Sequence, residues 1–186
     1  NRNFTWQTTL NLSHNTNKVN RLSNEKYSTD SFRQGDPRVA GVSSEGWTQL
    51  IMEGQPLGTF YTYEFAGYNE KGVSTYYVHD AETGERTGET TASPAFKDRT
   101  ITGCAQPKLN LGWNNTFSYR NWSASFFFTG MFGQDVYNGM KAHYTAPDFF
   151  AGGKNVLKEF ITKRPATDTG SNIPSDKFIE DGSFLR

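Results

Sequence analysis

The chain has 186 residues and carries 19 Lys and Arg against 19 Asp and Glu. That balance leaves no general basic surface for nucleic acid, and one cysteine, Cys104, excludes an internal disulfide framework and a Cys-based metal site. Mean hydropathy is −0.71 with no apolar run near the ~18 residues of a spanning helix, a test that a β-barrel escapes because its loops and half of each strand are polar.

Residues 3–13 alternate. Phe4, Trp6, Thr8, Leu10 and Leu12 share one face; Asn3, Thr5, Gln7, Thr9, Asn11 and Ser13 take the other. The pattern predicts a strand of about ten residues, the length of a tilted membrane-spanning strand. Residues 14–46 are polar and aperiodic and read as a long loop. Trp47 to Met52 predicts a short strand, Gly54-Gln55-Pro56-Leu57-Gly58 a turn, and Thr59 to Tyr68 an aromatic-rich strand. In the polar stretch 69–106, Tyr76-Tyr77-Val78 and Arg86-Thr87 flank Glu82-Thr83-Gly84-Glu85 as a small hairpin outside the main sheet.

The strongest pattern runs from Pro107 to Gly133. Leu109, Leu111, Trp113, Phe117 and Tyr119 form one stripe, broken at Asn115. After Arg120-Asn121 it resumes on Trp122, Ala124, Phe126, Phe128, Gly130 and Phe132, with Phe127 and Met131 as exceptions on the other face. A two-residue loop makes Tyr119 and Trp122 a facing pair, and the ladder then sets Phe117 against Ala124, Trp113 against Phe128 and Leu109 against Phe132. Both stripes fall on one face, and a slip of one residue destroys that agreement. Asn121 is the turn residue that tolerates positive φ. Residues 139–182 form a third long connection, in which Asn155, Val156, Leu157, Phe160 and Ile161 predict a short helix ending before Pro165. Ile179 to Arg186 opens another strand.

Connections alternate: long (14–46), short (54–57), long (69–106), short (120–121), long (139–182). Outer-membrane barrels show that asymmetry, with short turns on one side and long loops on the other. Strands 3–13, 58–68 and 122–133 then run outward, and 47–53, 107–119 and the strand from 179 inward. Aromatics near the strand ends, Tyr119 and Trp122 beside the short turn and Phe132 and Tyr137 further out, fit interfacial girdles. The rival fold is a soluble β-sandwich whose apolar faces meet each other.

Several segments resemble SusC/RagA-type TonB-dependent outer-membrane transporters. Gly54-Gln55-Pro56-Leu57-Gly58-Thr59-Phe60-Tyr61 is similar to the family's G-x-P-L-G-x-F-Y-G-Y segment, with Thr62 where Gly is usual. Gly103-Cys104-Ala105-Gln106-Pro107-Lys108, Tyr119-Arg120-Asn121-Trp122, and Phe127-Phe128-Thr129-Gly130 leading to Phe132-Gly133-Gln134-Asp135-Val136-Tyr137-Asn138 are also similar, as are Asn17-Lys18-Val19 and the segment Phe178 to Arg186. Cys104 stands where a small or Asn-like residue is common. Loops 20–46 and 69–100 do not carry the likeness.

The resemblance implies an all-β fold, an antiparallel transmembrane β-barrel portion of about six strands from a barrel of about 22. Residues 1–186 are then expected to be part of one barrel domain whose plug lies outside this chain, both ends reading as cuts within a longer protein. It implies TonB-dependent import of oligosaccharides or peptides across a bacterial outer membrane, with a SusD-like surface lipoprotein as lid.

The residues suggest no enzyme and no cofactor. His14, His79 and His143 lack metal-ligand spacing, Cys104 has no His near it in sequence, and Gly152-Gly153-Lys154 lacks the frame of a phosphate loop. Asp80, Glu82, Glu85 and Glu89 form an acidic cluster, read as a solvated loop or as a contact with the lid or a cation. Substrate or lid contacts are expected among lumen-facing or loop aromatics, because aromatic rings stack on sugar rings, and position singles out Trp47, Tyr76, Tyr77, Tyr144, Phe149 and Phe150. A soluble carbohydrate-binding module using the same aromatics is the alternative, and a passive porin a third.

Overall fold

The alternation of residues 109–132 produces the hairpin it predicts. In the computed structural model, which describes residues 3–35, 46–146, 152–158 and 172–186, the strands are β1 (Phe4–Ser13), β2 (Ser31–Gln34), β3 (Gln49–Met52), β4 (Thr59–Tyr63), β5 (Phe65–Tyr68), β6 (Ser74–His79), β7 (Arg86–Thr91), β8 (Arg99–Cys104), β9 (Leu109–Tyr119), β10 (Trp122–Phe132), β11 (Asp135–Tyr137), β12 (Ile179–Asp181) and β13 (Phe184–Leu185), and a short helix, α1, spans Gly139–Tyr144. Tyr119 faces Trp122, Phe117 faces Ala124, Trp113 faces Phe128 and Leu109 faces Phe132, as the alternation requires. The positive φ of the turn falls on Arg120 (52°) rather than on Asn121. A left-handed residue at the first turn position alone is the pattern of a II′ turn, which matches the twist of the flanking strands.

One sheet has the order β1-β9-β10-β13. β1 lies antiparallel to β9 in unbroken register from Phe4↔Tyr119 to Ser13↔Asn110. Pairing between β10 and β13 begins at Met131↔Phe184 and Gly130↔Leu185 and is carried on by reciprocal backbone bonds between Thr129 and Arg186. The neighbour of β1 is therefore β9. Residues 14–108 are one insertion between adjacent wall strands, and 133–183 are a second, between β10 and β13. Both leave and rejoin the wall at the end opposite the Arg120-Asn121 turn.

This corrects the expected count of about six wall strands. Segments 47–53 and 58–68 do not stand in the wall. β3 and β4 belong to a separate sheet, β2-β3-β4-β8, inside the first insertion. The tight turn between them, with Gly54 at φ 85° and Gly58 at φ 80°, joins a hairpin without saying which sheet it enters. Strand length does say: β3 has 4 residues and β4 has 5, against the ~9–11 of a tilted span. The expected strand 59–68 also divides at Glu64, and β5 pairs with β6, which pairs with β7, in a third sheet. The hairpin expected around Tyr76 and Arg86 is β6–β7. The loop readings of 14–46 and 69–106 missed β2 and β8. Of the helix expected near Val156, residues 159–161 lie outside the described residues.

The packed core sits in the insertions, not in the wall. Trp47, Leu50, Phe60, Tyr63, Tyr76, Ala142, Ala146 and Phe178 are buried, whereas every residue of β1 is exposed. The two insertions share this core. Tyr63 N–H donates to the Pro174 carbonyl at 3.1 Å, Phe65 N–H to the Asp176 carboxylate at 2.8 Å, and Cys104 N–H to the Asp135 carboxylate at 2.8 Å. Thr62, where the family pattern has Gly, is buried and hydrogen bonded to Thr102 across β4 and β8 at 2.8 Å.

Candidate functional site

Side chains on a strand alternate between faces, so the register sorts the wall into two surfaces. One face carries Phe4, Trp6, Leu10 and Leu12 of β1, Leu109, Leu111, Trp113, Phe117 and Tyr119 of β9, and Trp122, Ala124, Phe126, Phe128 and Phe132 of β10. Its rings touch across the strands: Trp6 stacks on Phe117 (centroids 5.9 Å), Phe117 meets Phe126 edge-on (6.1 Å) and Trp113 meets Phe128 (5.7 Å). The other face carries Thr5, Gln7, Thr9 and Asn11, then Asn110, Asn114, Thr116 and Ser118, then Ser123, Ser125 and Thr129. Phe127 and Met131 stand on this polar face, as the sequence pattern marks them. β1, β9 and β10 contain no charged residue at all.

The apolar face is not covered by protein among the described residues. Trp113 and Phe128 keep more than a third of their surface exposed, and Trp122 beside the turn is 80% exposed. A sandwich would lay a second sheet on this face. An apolar band with aromatic ends, backed by a neutral polar surface, is the construction of a barrel wall between lipid and a wet lumen.

The insertions hold most of the ionisable groups and the predicted contact residues. Trp47 is 7% exposed. The Arg99 guanidinium lies 3.7 Å from its ring centroid and donates from Nη1 to the Trp47 carbonyl (3.0 Å), while Tyr61 stacks alongside at 6.2 Å. Arg99 also lies over Tyr63 (4.7 Å), Tyr63 packs on Tyr76 (6.0 Å), and Tyr76 on Phe65 (6.2 Å). Trp47 and Tyr76 are thus members of one buried cation–aromatic column, and a ligand would have to open it to reach either ring. Tyr77 points the other way along β6, is half-buried, and carries Arg86 over its ring at 4.3 Å. Tyr144, at the end of α1, is half-buried against His143. Phe149 and Phe150 lie outside the described residues.

Sequence reasoning passed over Arg99, Tyr63 and Lys177. The Lys177 ammonium sits 5.0 Å from the Phe65 and Tyr68 rings and donates to the Tyr68 hydroxyl at 2.6 Å. A lone Lys or Arg in a polar stretch gives no sign of burial; the available sign was the density of Tyr and Phe in 60–68, which a cation can face. Two exposed features also went unread: Tyr27 stacked on Phe32 (6.4 Å), and Phe96 beside the Arg33 guanidinium (5.6 Å).

Electrostatically the first insertion centres on Glu64. Arg86 grips its carboxylate through two nitrogens, each at 2.7 Å, and buried His79 approaches with Nε2 at 3.0 Å. The bond from Arg86, ahead of the opposing desolvation, holds the Glu64 carboxyl below the usual carboxylate range. Burial pushes Asp176 the other way, above its ordinary value, against the bond it accepts from Phe65 N–H. In the acidic cluster, Asp80 accepts from the backbone N–H groups of Thr83 and Glu82 and from the Thr83 hydroxyl, and these bonds lower its pKa. Its carboxylate closes a turn.

No protein-family model matches the chain. It is 27% identical over 202 residues to TonB-dependent receptor P3 of Formosa agariphila, covering 100% of this chain and 19% of that protein. It is 28% identical over 201 residues to TonB-dependent receptor P26 of the same organism, covering 99% of this chain and 19% of that one. The chain therefore spans about a fifth of the length of the curated relatives it matches. Among solved structures, its fold superposes on the RagAB peptide transporter with a TM-score of 0.72 at 19% identity, covering 100% of this chain and 20% of that one. A structure of the RagAB peptide importer in a closed-closed state gives 0.71 at 18% identity.

Proposed function

Taking the chain as a stretch of a SusC/RagA-type TonB-dependent outer-membrane barrel, we propose that it forms part of a nutrient importer. The intact protein takes up oligosaccharides or peptides under TonB-driven energy, and a SusD-like surface lipoprotein covers its extracellular side. The supporting observation is the build of the wall. A charge-free sheet, apolar on one face and lined with Asn, Gln, Ser and Thr on the other, has a two-residue turn at one end and both insertions at the other. The long-loop end of such a wall faces the cell exterior. The wall moves its cargo without covalent chemistry. Its inner face offers amide and hydroxyl groups, which suit neutral polar polymers and discriminate little by charge.

The lid and the cargo meet the insertions. Of the aromatic contacts assigned from sequence, Tyr77 and Tyr144 keep exposed surface, and the Tyr27–Phe32 pair and Phe96 are further exposed aromatics on the first insertion. The test is uptake of labelled oligosaccharides and labelled peptides by cells carrying the intact protein, with and without a functional TonB and the neighbouring lipoprotein. The reading requires uptake of one class that vanishes when TonB is lost. Uptake that persists without TonB indicates a passive pore. Recovery of the intact protein in the aqueous fraction without detergent rules out the barrel.

A further inference from the structure

The hairpin β9–β10 has its register fixed by a two-residue turn, but the seam between β1 and β9 does not. Its strands are joined only through residues 14–108. Facial alternation protects the seam against a one-residue slip, since that would turn every apolar side chain to the polar face. It gives no protection against a slip of two residues, which keeps each side chain on its own face.

At the middle of this seam the apolar face is interrupted once. Thr8 stands opposite Asn115, and both are polar. Each receives an indole N–H from the tryptophan two positions away on the other strand. Trp6 of β1 donates from Nε1 to Asn115 Oδ1 at 3.2 Å, and Trp113 of β9 donates from Nε1 to Thr8 Oγ1 at 2.9 Å. Thr8 passes its own hydroxyl proton on to the Asn114 carbonyl at 3.3 Å. Asn115 is only 4% exposed, beneath the Trp6, Phe117 and Phe126 rings. Both bonds are diagonal, and they are reciprocal about the Thr8–Asn115 pair.

We propose that Trp6, Thr8, Trp113 and Asn115 form a register clamp that selects the β1–β9 pairing against two-residue slips. A slip in one direction moves each indole four positions from its acceptor. A slip in the other direction sets each indole directly across from its acceptor and removes the diagonal reach. Either one leaves polar groups unpaired on a surface without water, where such groups are expensive. The inference rests on reading this face as lipid-facing, but its test does not measure which face meets lipid.

Cross-linking in the intact outer-membrane protein, with Cys104→Ser as background, tests it. Gln7 faces Thr116 on the polar side, so a Gln7→Cys/Thr116→Cys pair reports the native register. Pairs of Gln7→Cys with Asn114→Cys or Ser118→Cys report the two slips. With the clamp intact, only the facing pair should form a disulfide. In a Thr8→Val/Asn115→Leu background, the slipped pairs should gain about tenfold relative to the facing pair, the ratio expected of two membrane-embedded hydrogen bonds. A Trp6→Phe/Trp113→Phe background, which keeps aromatic rings and loses only the N–H donors, should do the same, and it decides the matter if the first variant does not assemble. Slipped pairs that stay at the parent level in folded, heat-modifiable barrels of either background would overturn the clamp.

Discussion

Replacing Phe128 by Arg probes the assignment on which the functional reading depends. Phe128 lies six positions from Trp122 along β10, and Trp122 stands beside the turn. At ~3.3 Å per residue and a tilt near ~40°, six positions descend about 15 Å, close to the middle of an apolar band about 25 Å tall. A guanidinium at that depth costs about 2–4 kcal/mol. Loss of the Trp113 ring contact at 5.7 Å adds about 0.5–1.5 kcal/mol. The variant should therefore lose about 3–5 kcal/mol in urea unfolding of the intact barrel from phospholipid vesicles. Trp122→Arg, at the interface, should lose no more than about 1 kcal/mol. Thr129→Arg, next in sequence to Phe128 but on the opposite face, should also be nearly neutral because it meets a wet lumen. If Thr129→Arg costs as much as Phe128→Arg, or if the cost does not fall from Phe128 to Trp122, the apolar face does not meet lipid and the transport reading loses its basis.

Other substitutions test the joints and the turn. A β-carbon at Gly103 would come 2.5 Å from the Asp135 carboxylate, so Gly103→Ala should displace Asp135 from Cys104 N–H and loosen the insertions by about 1–3 kcal/mol. Faster protease cleavage of the insertions, with an unchanged wall, is the expected readout. Arg120→Gly should relieve about 1 kcal/mol of left-handed strain at the turn and raise the urea midpoint. Acid should act on the insertions in two opposite steps. Asp176, with its folded pKa raised, binds its proton more tightly when folded, so stability rises as pH falls through that pKa toward about 3.9. Glu64, with its folded pKa depressed, contributes stability above about 4.3 that is lost as pH falls through its folded value. Amide-exchange protection of β6 and β7 should pass through a maximum in the acid range. Asp176→Asn should remove the gain and Glu64→Gln the loss; a monotonic profile in the parent protein refutes the assignment.

The wall was legible because one simple constraint governs it. In β9 and β10 every second residue answers to the same environment, so periodicity, pairing and turn length give one answer. The insertions obey no such rule. β3 and β4 are covered on both faces, so their apolar residues do not alternate, and their turn looks the same whether a hairpin enters the wall or a sheet above it. β8 was lost because its burial runs against residue type, with Arg99 inside and Ile101 exposed, so no apolar alternation marks it. The buried arginine is tolerable because two aromatic faces and two carbonyls take the place of water. That compensation comes from segments far apart in sequence. Trp47 and Tyr76 stand out as contact candidates in the sequence for the same reason: their packing partners lie far along the chain.

Charge divides along the same line. The three long wall strands carry none, while Glu64, Arg86, Asp98, Arg99, Asp176 and Lys177 hold the insertions together. On the proposed reading, lipid against one face and a two-residue turn at one end leave the wall strands no need of long-range pairs, except at the β1–β9 seam. There the long excursion of the chain removes the usual register device, and the wall admits its one facing pair of polar side chains on the apolar face, Thr8 and Asn115. A break in an alternation is then informative by position. On β9 it falls opposite its counterpart on β1, between two tryptophans whose donors need acceptors. A sequence scan that scored Asn115 only as a defect in the stripe would miss that Thr8 is a matching defect, and that the two identify which strands are neighbours.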